Sequence, residues 1–149
     1  MIDEFKGEYR FLSNFYPAPF TDEKGVTWPT SEHYYQAMKT KDENIREYIR
    51  KLEKPGDAKK YARKIELRDD WEDVKLQVMG NAIVMKFLQN PKILEKLINT
   101  YPKKLVEGNF WHDNIWGDCK CDKCKNIKGY NYLGRMLMQV RIGIINKDF

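Results

Sequence analysis

Glu32, Gln36 and Lys39 stand at positions i, i+4 and i+7 of one short stretch, Trp28-Pro29-Thr30-Ser31-Glu32-His33-Tyr34-Tyr35-Gln36-Ala37-Met38-Lys39. On a helix that spacing aims a carboxylate, an amide and an amine in one direction. An ordinary core stripe would carry aliphatic residues at those positions. Pro29 and Thr30 announce the helix start, and Thr30 or Ser31 supplies the cap. Glu32 then falls in the first turn, where free amides and the helix dipole favour an anion, so it reads as an ionised acceptor or base. Lys39, two turns deeper, becomes a nucleophile if burial strips its proton. The plain alternative is an exposed Glu–Lys surface without chemistry.

Other residue types suited to a ligand are spread along the chain. Phe11 to Pro17 sets Asn14 beside Phe15, a pairing in which rings stack on a base while an amide reads its edge. The same aromatics would serve equally as plugs for the core. Asp113 and Trp116 precede Gly117 in a tight turn, so that a carboxylate holds a sugar hydroxyl and an indole covers its apolar face. An Asp capping its own turn is the common alternative. Arg63 and Arg68, with Lys59 and Lys60, form a possible diphosphate clamp, or else a solvated basic face. Trp71 fits the apolar periodicity of a core, with one edge free to line a pocket. His33 reads as a packed or capping histidine. Cys119, Cys121 and Cys124 make C-x-C-x-x-C, with His112 ahead of them. Together they are four candidate zinc ligands, although the spacing is not a common zinc signature and reduced surface thiols are the alternative.

The elements that must position these groups follow from periodicity and turn chemistry. A chain of 149 residues suggests one compact domain. Asp22 to Gly25 reads as a turn between two short strands, the second ending at Trp28. Helices are expected from about Ser31, over Glu43 to Leu52 with a stop at Pro55-Gly56, and over Asp57 to Lys64. The clearest one begins after Asp69-Asp70 and buries Trp71, Val74, Val78, Ala82 and Met85. Another follows Asn90-Pro91, and a last one carries Leu133, Met136, Leu137, Val140 and Ile144. Leu105-Val106 reads as a short strand, and Gly108 to Tyr132 as irregular. The fold class is therefore mainly α (α+β), helices with a few short strands. A net charge of +5 makes phosphate-bearing partners plausible. No apolar run is long enough for a bilayer, and the first residues do not resemble a signal peptide. With three cysteines, a reducing cytoplasmic setting is expected. No membrane association and no obligatory protein partner is indicated.

In order along the chain, Leu12 to Pro17, Trp28 to Lys39, Arg68 to Trp71, Lys75 to Met79, Asp113 to Gly117 and Gly129 to Gly134 resemble the motifs of the NADAR (YbiA-like) family. Two departures stand out. Ala62 replaces a frequent glycine before Arg63, and the cysteines occupy a loop that is Gly/Asn-rich in some members. The resemblance implies a hydrolase of N-glycosidic bonds in ribosyl compounds. One activity it implies removes ADP-ribose from modified guanine in nucleic acid, reversing a toxin. The other cleaves early riboflavin-pathway intermediates. Glu32, Lys39 and Asp113 are the catalytic residues it implies. Asn14, Phe15, Gln36, Arg63, Arg68, Trp71, Trp116, Gly117 and Asn131 form its substrate site. Within that reading Lys39 forms a Schiff base with a ring-opened ribose, and neither a metal nor another cofactor is called for. A non-catalytic module binding ADP-ribose or nucleic acid is the rival of a different class.

Overall fold

Asp22 shapes the first supersecondary unit. Its Oδ1 accepts hydrogen bonds from the amides of Lys24 and Val26, each at 3.0 Å, and its Oδ2 accepts one from Trp28 Nε1 at 2.9 Å. Gly25 supplies the positive φ of 82° that closes the turn. Strands β1 (Phe20–Thr21) and β2 (Thr27–Trp28) pair antiparallel across it. The expected hairpin is thus present in this computed structural model, which describes residues 1–149.

The helices follow as α1 (Ser31–Ala37), α2 (Glu43–Lys51), α3 (Pro55–Ala62), α4 (Trp71–Leu88), α5 (Pro91–Asn99) and α6 (Tyr132–Ile145), with 3-10 turns at Gly7–Leu12 and Asp122–Cys124. About half the chain is helical, matching the mainly α expectation. Helix α2 ends at Lys51 ahead of Pro55 as expected, and Pro55 also opens α3 before the expected Asp57. The proline occupies the first position of α3, where a missing amide hydrogen costs nothing. Leu105 forms only an isolated parallel bridge with Ile2, so the expected strand there is not formed. Instead β3 (Gly108–Asn109) and β4 (Asp118–Cys119) pair parallel within the stretch expected to be irregular. Two-residue strands leave no readable alternation in sequence. No helix is long and apolar enough to cross a membrane.

The chain forms two compact units, Asn14–Pro91 and Met1–Ser13 together with Lys92–Phe149. In the first, α2, α3 and α4 pack against α1. Phe20 and Trp28 meet the Tyr34 ring edge-on at 5.7 and 5.6 Å. The buried face of α4 runs through Trp71, Val78, Met79, Ala82, Ile83 and Phe87. Burying an aromatic such as Phe20 or Phe87 contributes about 2–3 kcal/mol of transfer free energy. In the second unit, Ile93 and Leu97 of α5 and Leu133, Leu137 and Val140 of α6 are buried, as are Phe11 and Leu105. Buried Arg141 donates to Thr100 Oγ1 at 2.9 Å and to the Lys103 carbonyl at 2.8 Å.

His33 is fully buried and its tautomer follows from its partners. The Leu52 carbonyl can only accept, so Nε2 carries the proton and donates at 2.8 Å. Nδ1 therefore accepts from the Thr30 hydroxyl at 2.8 Å, while Thr30 Oγ1 accepts from the His33 amide at 3.0 Å and caps α1. This bears out a packed, capping histidine. Burial holds its pKa below 6.5, opposed by the Leu52 bond. As pH falls through 6.5, the unfolded chain gains a proton that the folded chain refuses, so stability drops until the folded-state pKa is passed. The melting temperature should fall on acidification through this window, and His33→Gln should flatten that part of the profile. An identical slope in the variant would assign the acid sensitivity elsewhere.

Candidate functional site

Every residue of α1 is buried, although most of them are polar or bear a phenol. Such a helix is stable only if its polar groups find partners. Asn14 supplies several. Its carbonyl accepts from the Glu32 amide at 3.1 Å, its Oδ1 accepts from the Ser31 hydroxyl at 2.8 Å, and its Nδ2 lies 3.3 Å from Met79 Sδ. The loop carrying Asn14 is thereby fastened to the start of α1. The side-chain amide expected to read a ligand edge is anchored inside the protein, whereas neighbouring Phe15 is 42% exposed.

One turn along, Gln36 Nε2 donates to Glu32 Oε1 at 2.9 Å, with both residues buried. The i, i+4 pair therefore forms as the spacing predicts. Gln36 Oε1 is buried without a hydrogen-bond partner. An orphaned acceptor of this kind costs about 1–3 kcal/mol, a penalty that a ligand hydroxyl or amide hydrogen would relieve.

Helix α1 ends at Ala37, so Lys39 lies in the turn beyond it and not on a third helical step. The turn is fixed by the Lys39 amide donating to the Gln36 carbonyl at 3.3 Å and by the Arg68 amide donating to the Lys39 carbonyl at 2.8 Å. Lys39 is half-buried, with Nζ 5.5 Å from the centre of the Tyr35 ring. That ring in turn lies 5.2 Å from Trp71. Burial lowers the Lys39 pKa below 10.5, Glu32 pulls it back up, and Lys59, Arg63 and Lys75 push it down. Desolvation and three cations outweigh one carboxylate, which raises the fraction of free amine.

Of the two expected clamp arginines, Arg68 is engaged inside the protein and Arg63 is not. Arg68 donates to both carboxylate oxygens of Asp70, at 2.6 and 3.1 Å, and to the Met38 carbonyl at 3.4 Å. Its charge is used to hold the turn after α1 onto the start of α4. Arg63 is exposed at the end of α3 and within electrostatic reach of Lys39. A cleft of about 510 Å³ lies beyond the turn, lined by Thr40, Asp42, Glu66, Arg68 and Asp70 among others, and not by Glu32, Gln36 or Lys39.

Asp113, Trp116, Gly117 and Asn131 belong to the other unit. Asp113 Oδ1 accepts from the amides of Ile115 and Trp116 at 3.1 and 2.9 Å, which is the turn-capping alternative. Gly117 has a structural reason to be glycine. A Cβ there would stand 2.1 Å from the Glu107 carbonyl, so only a bare backbone fits. Asn131 accepts from the Glu107 amide at 2.9 Å and donates to the Leu105 carbonyl at 3.0 Å. Both ends of its amide hold backbone. Trp116 is half-buried and meets Tyr132 edge-on at 6.2 Å. The metal-ligating side chains that gather in one place are His112, Cys119, Cys121 and Cys124.

Two contributors to the surroundings of Lys39 escaped the sequence reading, as did one buried lysine elsewhere on α4. Tyr35 walls the Lys39 amine, and its position one residue before Gln36 hid it outside the i, i+4 pattern. Lys75 stands one turn after Trp71 on α4, a spacing that sequence shows once Trp71 is placed. Lys86 is fully buried in the apolar face of α4, and burial alone pulls its pKa down to about 7. Nothing in local sequence marks a lysine for that fate.

The NADAR domain family model matches residues 3–144. The N-glycosidase YbiA of Shigella flexneri serotype 5b is 43% identical over 136 residues, covering 90% of this chain and 81% of that protein. A riboflavin biosynthesis protein of Vibrio vulnificus is 38% identical over 133 residues, covering 88% of this chain but 34% of that protein. The NMR structure of Escherichia coli YbiA superposes with a TM-score of 0.83 at 38% identity, covering 99% of this chain and 89% of that one.

Asp113→Asn keeps an Oδ1 able to accept both turn amides, and Asp113→Ala does not. Thermal melting should leave the Asn variant close to wild type and lower the Ala variant by about 1–2 kcal/mol of stability. Equal destabilisation of both would show that the charge, not the turn bonds, matters to the fold.

Proposed function

Because this chain belongs to the NADAR family, we propose that it hydrolyses N-glycosidic bonds, with Glu32 and Lys39 carrying the chemistry. The names of its relatives, N-glycosidases among them, support that reaction class. The observation that carries the residue assignment is the buried Glu32–Gln36 pair placed beside a lysine whose pKa is depressed.

N-glycoside cleavage passes through an oxocarbenium-like state that a nearby carboxylate stabilises. In this proposal Glu32 accepts from ribose hydroxyls and shuttles protons, and the unpaired Gln36 Oε1 takes one further hydroxyl. Glu32 relays a proton to the ring oxygen as the C1–O4 bond opens to a C1=N link with the base nitrogen, and the free amine of Lys39 adds to that C1. The bond from C1 to the base nitrogen breaks, and the base leaves with a proton. Water then adds to the C1=N bond, releasing the sugar aldehyde and restoring the amine. Trp71 and Tyr35 keep bulk water from the amine.

We assign the sugar as ADP-ribose and the leaving base as guanine in nucleic acid, since Lys59 and Arg63, within electrostatic reach of Lys39, suit a diphosphate. The likeness to riboflavin biosynthesis proteins supports a second reading, cleavage of early intermediates of that pathway.

Presenting the protein with ADP-ribosylated guanine DNA and, separately, with riboflavin intermediates should release the free sugar from the first. Release from the second alone would favour the second reading, and release from neither would favour a binding module. Borohydride added during turnover should leave the reduced sugar on Lys39 by peptide mass mapping. Glu32→Gln should lower kcat by about a hundredfold or more while still melting cooperatively. Full activity in Lys39→Ala would refute the Schiff-base route.

A further inference from the structure

Residues Cys119 to Lys128 form an excursion that apolar packing does not account for. The ten residues Cys-Lys-Cys-Asp-Lys-Cys-Lys-Asn-Ile-Lys hold four lysines and one aliphatic side chain, and that isoleucine, Ile127, is 52% exposed. Yet Cys119 and Cys124 are buried. The flanks of the excursion are tied together, by the Gly129 amide on Asp118 Oδ1 at 3.0 Å and the Asn131 amide on the Gly117 carbonyl at 3.1 Å. A segment this small and this charged folds in on itself when a cross-link replaces the missing core.

The ligand geometry supplies the cross-link. His112 Nδ1 lies 3.4 Å from Cys121 Sγ, 3.4 Å from Cys124 Sγ and 3.9 Å from Cys119 Sγ. The four ligand atoms all fall within 4.8 Å of one another. A single imidazole nitrogen has either one proton or one lone pair, so hydrogen bonding cannot satisfy three sulfurs at once. One cation can. Tetrahedral zinc with Zn–S of about 2.3 Å and Zn–N of about 2.0–2.1 Å sets S···N near 3.6 Å and S···S near 3.8 Å. The observed nitrogen–sulfur distances bracket the first value. Backbone supports the same conclusion. His112 holds a positive φ of 67°, a region that residues other than glycine seldom occupy, and that conformation turns its Nδ1 toward the sulfurs. The Cys124 amide donates to the Cys121 carbonyl at 3.0 Å, curling the C-x-x-C so that both thiols face the same point.

We propose that His112, Cys119, Cys121 and Cys124 bind one zinc ion as a closed Cys3His structural site. Four protein ligands leave no open position for substrate or water, so the ion holds structure and does not perform the glycosidic chemistry. Three thiolates and Zn²⁺ sum to one negative charge, carried by a lysine-rich segment. What the ion positions is its own loop. His112 directly precedes Asp113, and Cys119 donates its amide to Asn114 Oδ1 at 2.9 Å, so ligation fixes the turn from Asp113 to Trp116 from both sides.

The test uses the full chain, expressed with zinc in the medium and purified with a thiol reductant. Elemental analysis should find one zinc per chain. Exchange into cobalt(II) should give the intense visible bands of a tetrahedral ion and near-ultraviolet thiolate-to-cobalt charge transfer. Cys121→Ser and His112→Ala should lose the metal, and a chelator with a thiol-modifying mercurial should release it together with rapid proteolysis within Lys120 to Lys128. Wild-type protein that carries no stoichiometric zinc and gives no tetrahedral cobalt spectrum overturns the proposal, whether or not the variants fold. So does full zinc retention in both variants.

Discussion

A seven-residue helix with no exposed face is the constraint on which the first unit is built. Helix α1 is too short to stand alone and too polar to be buried cheaply. It survives because its groups are paired by a set of specific contacts. Thr30 and the Leu52 carbonyl satisfy His33, Asn14 satisfies Ser31 and the Glu32 amide, and Gln36 satisfies one oxygen of Glu32. Pairing at this density also fixes orientation. The carboxylate of Glu32 has little freedom to turn away, which is the preorganisation that its proposed role demands.

The same burial governs electrostatics past the helix end. Lys39 sits where desolvation and the cations of α3 and α4 oppose protonation, while Glu32 favours it. Arg68, spent on Asp70 and on the Met38 carbonyl, acts as a brace that keeps this turn in place. Two basic residues that look alike in sequence, Arg63 and Arg68, thus do different work. One contributes field from the surface, the other contributes geometry.

Much of this was legible beforehand, for reasons that particular residues make clear. Thr30, Glu32 and Gln36 obey local rules of capping and i, i+4 spacing, so helix start and pair formation could be read directly. Trp71, Val78 and Ala82 announced α4 through periodicity. The exit of Lys39 from the helix was not legible, because it depends on Arg68 reaching back from a distant turn. Pro55 follows the end of α2 as read but also opens α3, whose start at Asp57 was read too late because proline both stops and starts helices. Asn131 was given a ligand by family resemblance, and its amide also ties the Glu107 amide to the Leu105 carbonyl, partners far off in sequence. The parallel pair β3–β4 and the buried Lys86 likewise depend on tertiary context. The cysteine spacing looked irregular as a motif, and only folding brought four ligand atoms together.

The account turns on the protonation of Lys39, and NMR titration of the protein labelled at lysine Nζ and side-chain carbons reads it directly. Lys39 should titrate below 10.5, and Glu32→Gln should move it lower still, since the carboxylate is what holds the proton on. A Lys39 that titrates at or above the ordinary lysine value, unmoved by Glu32→Gln, would contradict the account.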